Sequence, residues 1–253
     1  MSGIEEPKVP PRETNERDTY TAQFVVEEGS LVDEEPLAAE FQQRFRTQTD
    51  YEWKRIFPPP DTEEALRVFR AGNQAFKEDR ILDAIDAYSQ VLQAQDYGPA
   101  LLNLAVAHMH EASAEGWAEC ERLLDTVLAR YEPQYAGTVE PEVPGLTREQ
   151  IGSVLAPALR NKAELLTQKG VDMREAAKLR EAAELTGQAL EIAPGNTAWR
   201  LELWGILHIL DDAADATAVL KEAAKSQEFE LLSTHAREKY TALKVKYHGS
   251  CGG

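Results

Sequence analysis

Several things are scarce in this chain of 253 residues, beginning with long apolar runs. None approaches the roughly 18–20 residues that a membrane-spanning helix requires, which excludes that class. Cysteine is scarce too. Cys120 and Cys251 are the two present, too few for a disulfide framework, and a reducing compartment is expected. Basic residues are in deficit, with 27 Lys and Arg against 44 Asp and Glu. The resulting net charge of −17 argues against a nucleic-acid binder, because phosphate neutralisation needs a basic face. The opening residues, MSGIEEPKVPPRE, contain neither a basic stretch followed by an apolar one nor an Arg-rich amphipathic pattern. They read as neither a secretory nor a mitochondrial leader, and a cytoplasmic location is expected.

Catalytic signatures are missing as well. There is no GxSxG elbow, phosphate loop, HExxH pair or GxGxxG turn. His108 and His110 stand two apart, which on a helix places them on different faces. Neither cysteine has a partner at metal-ligand spacing. Cys120 occupies a small-residue packing position and reads as a buried thiol. No enzyme activity, cofactor or metal is therefore expected.

The chain changes character near residue 60. Residues 1–60 carry Pro7, Pro10, Pro11, Pro36 and the run Pro58 to Pro60. Acidic residues outnumber basic ones 13 to 7 there, and helical periodicity is short. This reads as an extended acidic arm with two apolar spots. Leu37, Phe41 and Phe45, spaced i, i+4, i+8, make one stripe on a short helix. Tyr51, Trp53 and Phe57 surround Lys54 and Arg55. These six side chains are expected to pack either on the downstream domain or on another protein.

From Asp61 onward, Ala, Leu, Glu, Gln, Lys and Arg dominate and the pattern is helical throughout. Asp61 and Glu64 have the spacing of a capping box, as do Thr147 and Gln150. Residues 134–145, with Pro141 and Pro144, read as a loop.

The helical part repeats itself. Gly72, Ala84, Tyr88 and Val91 in one stretch correspond to Trp204, Ala216, Leu220 and Ala223 in another. Ala182, Thr186, Ala189 and Pro194 stand at the offsets of a further second half. Small residues at two places let paired helices approach closely, and larger apolar residues fill the gap to the next pair.

On these residues the chain resembles the tetratricopeptide repeat (TPR), a 34-residue helix–turn–helix unit. The likeness covers about 170 of the 253 residues. It implies an all-α solenoid of about four units, at about 65–98, 99–133, 156–196 and 197–230. The third has a turn lengthened by about seven residues before Ala182. A capping helix at 231–247 follows, with Leu232, Ala236, Tyr240 and Leu243 on one face, closing the exposed end. The domains are then 1–60, the arm, and 61–253, the solenoid.

The resemblance also implies a peptide-binding groove, for which Phe69, Arg70, Asn73, Asn103 and Asn161 are the candidate residues. The expected work is non-catalytic: a scaffold or adaptor in a larger protein assembly, binding partner segments through groove and arm. The alternative is a co-chaperone-like receptor for C-terminal peptides of heat-shock proteins. Asn73 and Asn103 match that family's carboxylate clamp, whereas Phe69, Pro157 and Asn161 stand where cations belong, so its charge-assisted bonds would be missing. Replacing Asn73 and Asn103 with Ala is expected to weaken groove binding and spare the fold.

Overall fold

The computed structural model describes residues 57–111, 113–141 and 143–249. Among them every regular element is an α-helix. In order these are α1 (Glu63–Lys77), α2 (Ile81–Ala94), α3 (Gly98–His110), α4 (Ala114–Tyr135), α5 (Arg148–Met173), α6 (Ala176–Ile192), α7 (Thr197–Ile209), α8 (Ala213–Ala223) and α9 (Phe229–His248). Leu37, Phe41, Phe45, Tyr51 and Trp53 lie outside the described residues.

Local chemistry starts and stops these helices. Thr147 accepts the Gln150 amide at 3.2 Å while the Gln150 side chain accepts the Thr147 amide at 2.7 Å, a complete capping box. The expected box at Asp61 is displaced by one residue. Thr62 caps α1 by accepting the Ala65 amide at 3.1 Å, and the Asp61 amide donates instead to Gln95 Oε1 at 2.9 Å. Asp79, Arg174 and Asp211 end α1, α5 and α7 in the left-handed region, with φ of 59°, 56° and 60°. Asp visits that region more readily than most residues. Pro133 does not close its helix; α4 runs two residues past it.

The third unit differs from expectation. Its extra residues do not lengthen a turn. They extend helices, so that α5 has 26 residues and α6 has 17, joined by Arg174 and Glu175 alone. Gly170 lets this connection close, because an added Cβ would come within 2.9 Å of Leu179, and its carbonyl accepts the Glu175 amide at 2.8 Å.

Each helix packs against the next from α1 to α8. Short connections force neighbours to run antiparallel. At Gly72 an added Cβ would come within 2.8 Å of the Tyr88 ring, so the glycine lets α1 and α2 close on each other. Ala84 and Ala216 are buried at the corresponding contacts. Three further contacts join helices that are not neighbours in the chain: α3 touches α5, and α9 touches α5 and α7. The last two of these locate the C-terminal helix. Helix α9 does bury a stripe through Ala236 and Tyr240, but it lies on α7 and α5, with hardly any contact to α8.

The apolar interior forms two clusters, and α5 supplies both. Ile151, Leu155, Leu159 and Leu165 join the one built on α1–α4; Ala163, Leu166 and Val171 join the one built on α6–α9.

Candidate functional site

The helix-skipping contacts, with the Asn73–Asn103 and Arg160–Glu202 hydrogen bonds, put α1, α3, α5, α7 and α9 on a common face, and polar side chains run along it as a seam. At the α1–α3 end, Asn73 Oδ1 accepts two hydrogen bonds, from the Tyr88 hydroxyl at 2.9 Å and from Asn103 Nδ2 at 3.0 Å. All three side chains are buried. Burial pushes the Tyr88 hydroxyl well above the usual phenol range, so it stays a donor at any physiological pH.

At the α5–α7–α9 end the seam is charged. The Arg160 guanidinium forks onto Glu202, with Nε to Oε2 at 2.8 Å, and reaches Glu164 at 3.6 Å. Lys239 of α9 donates to both oxygens of Glu164 at 3.1 and 3.2 Å. Burial alone would raise the Glu164 carboxyl. Lys239 and Arg160, with hydrogen bonds from Lys239 and Gln168, overcome burial and hold it at about 2. Glu164 is thus an ion-pair anchor and no proton donor at neutral pH. One residue further along α9, the Tyr240 ring lies flat on Gly205, where any Cβ would overlap it. Burial, then the carboxylates of Glu202 and Glu164, raises the Tyr240 hydroxyl far above its ordinary value.

The candidate groove residues divide between seam and core. Asn73 and Asn103 meet in the seam, already bonded to each other. Asn161 is also buried; its Oδ1 accepts from Arg160 at 3.2 Å and its Nδ2 has no hydrogen-bond partner. Arg70 is half-buried on α1. Phe69 is a correction: it is fully buried, edge-on to Tyr97 at 5.3 Å, and belongs to the core. The arm candidate Phe57 ends up in the same aromatic cluster, edge-on to Tyr97 at 5.8 Å and to Tyr131 at 6.4 Å. Two residues assigned to separate surfaces therefore share one interior. Phe57, read as part of the arm, is thus packed with residues of the 61–253 region.

Sequence reasoning missed Glu164, Glu202, Lys239 and Gly205. The i, i+4 spacing of Arg160 and Glu164 was the one local signal of the charged end. The asparagine result also changes an expectation. Removing Asn73 takes a shared acceptor from two buried donors, so Asn73→Ala tests the fold before it tests binding.

Cys120 is buried and its thiol is pushed up to about 12, which keeps it from acting as a thiolate. Among the described residues no three His, Cys, Asp or Glu side chains converge to hold a metal ion. No described helix is long and apolar enough to cross a membrane. No family model matches this chain, and neither curated proteins nor solved structures provide a significant match.

Proposed function

We propose that this chain is a non-catalytic protein-interaction scaffold of the tetratricopeptide-repeat type, a subunit of a larger protein assembly. The observation that carries this reading is the packing order: each helix from α1 to α8 packs on the next, and every second helix shares one face lined by a polar seam. Stacked helix pairs of this kind build an extended surface suited to partner segments. Helix α9 occupies the α5–α7 part of that face, so partners engage the α1–α3 part around Arg70 and the segment before Phe57. Against the carboxylate-receptor alternative stands Arg160, one of the cations near the clamp positions in the sequence, which is committed to Glu202 and Glu164.

Affinity purification from the native cell with mass spectrometry tests the reading. Full-length protein, a form lacking residues 1–56 and Arg70→Glu should be compared, since all three keep Phe57 in the core. A fixed set of near-stoichiometric partners, reduced in both altered forms, is the expected result. Full-length protein recovered alone would overturn it. Binding of a chaperone C-terminal peptide that amidation abolishes would establish the alternative instead.

A further inference from the structure

The placement of α9 is the least explained feature of the fold, and the connection leading to it has unusual chemistry. Residues 224–228, Ala-Lys-Ser-Gln-Glu, join α8 to α9. They contain no helix breaker, and there is no Gly or Pro from Ile206 through His248. Both ends of the connection already have right-handed helical backbone, with φ −64°, ψ −9° at Ala224 and φ −85°, ψ −10° at Glu228. No residue in it has positive φ. Helix α9 begins without a side-chain cap. The turn is held by four bonds: Lys225 amide to Glu222 carbonyl at 3.2 Å, Ser226 amide to Ala223 carbonyl at 3.0 Å, Phe229 amide to Ser226 carbonyl at 3.3 Å, and Glu228 amide to Ser226 Oγ at 3.2 Å. A sequence of strong helix formers is thus bent by a turn with little intrinsic preference for bending.

What bends it is the seat on α7 and α5. Tyr240 enters the notch at Gly205, Lys239 meets Glu164, Lys244 meets Asp211 at 2.5 Å, and Lys246 meets Asp172 at 2.5 Å. Because α9 hardly touches α8, straightening the connection breaks little between those two helices. It would make one helix from Ala213 to His248, about 54 Å long at 1.5 Å per residue. Such a helix carries the Lys239–Tyr240 pair far from its own Gly205 and Glu164.

We infer that two copies of this chain exchange α9, each straightening residues 224–228 and seating its α9 on α5 and α7 of the other. The occupant is a second copy because the seat is matched to this helix: an aromatic ring for the Gly205 notch, and a base one residue before it for a buried carboxylate. Every seat contact is the same within one chain or between two. The balance between closed monomer and exchanged dimer therefore rests on the conformation of the connection and on protein concentration.

The test uses the full chain at concentrations from micromolar to millimolar, incubated and then separated by size exclusion with light scattering. Isotope-labelled and unlabelled protein are mixed, and a zero-length carbodiimide couples Lys239 to Glu164. A slowly formed dimer carrying mixed-label Lys239–Glu164 cross-links is expected. Ser226→Ala removes a turn acceptor and raises helix propensity in both chains, which should increase the dimerisation constant about fivefold. Gln227→Pro blocks the continuous helix, and the Gln227 amide makes none of the turn's bonds, so a folded monomer without dimer is expected. Monomer alone at every concentration in wild type and Ser226→Ala would overturn the inference. So would a dimer that survives Gln227→Pro, or one whose Lys239–Glu164 cross-links never mix labels.

Discussion

Asn73 is the acceptor at which α1, α2 and α3 meet, and replacing it with Ala removes both of the bonds made there. The Tyr88 hydroxyl and Asn103 Nδ2 then remain buried without that partner. Stranding a buried donor costs about 1–3 kcal/mol, so the pair costs about 2–6 kcal/mol. A domain of this size has a total stability of about 5–15 kcal/mol and loses about 2–4 °C of Tm per kcal/mol, which places the drop at about 4–24 °C. Tyr88→Phe removes one donor while Asn103 still satisfies Asn73, and should cost only about 1 kcal/mol. In Asn73→Ala/Tyr88→Phe the stranded hydroxyl is gone, so the double change should cost about 1 kcal/mol less than the sum of the single ones. Urea denaturation followed by circular dichroism reads all three variants. Additivity within about 0.5 kcal/mol, or an Asn73→Ala protein as stable as wild type, would refute the reasoning.

Phe57→Ala should lower stability by about 3 kcal/mol, and a form starting at residue 61 should melt well below one starting at residue 57, both seen by thermal denaturation. Ala84→Leu should force α1 and α2 apart at the cost of about 1–3 kcal/mol, read in the same assay. Glu164 is held at about 2 when folded and sits near 4.5 when unfolded. Its contribution is complete above pH 4.5 and is lost as the pH falls toward 2, whereas Glu164→Gln should be less stable at neutral pH and lack that acid-sensitive loss. Urea denaturation at a series of pH values, followed by tryptophan fluorescence, checks this. Peptide mapping after iodoacetamide treatment at pH 8 should find Cys120 unmodified in native protein and modified once urea unfolds it.

Much of this fold was legible because packing leaves periodic traces. Gly72, Ala84 and Tyr88 announce a close helix pair, and Thr147 with Gln150 announces a helix start, since both depend on residues a few positions apart. Asp61 and Thr62 are both good caps, and the choice between them is made by Gln95, more than thirty residues away. Phe57 looks like part of the arm because the three prolines after it break local structure, yet its partners Tyr97 and Tyr131 lie far along the chain. The seat of α9 left the least trace. Its amphipathic stripe says that one face is covered and is silent on which helix covers it. Gly205 reads as an ordinary small residue until Tyr240 is laid on it, and the seam's two asparagines look available until their bond to each other is seen.

The contact between α9 and α5 turns part of this chain from an open line into a closed circuit. In a linear array each unit touches only its neighbours, so unfolding can start at an end and stop at any junction. Here α5, α6 and α7 follow one another, and α9 returns to both α7 and α5. Opening any one of these helices disturbs at least two others at once. The α5–α9 portion should therefore exchange its amide hydrogens as a single cooperative block.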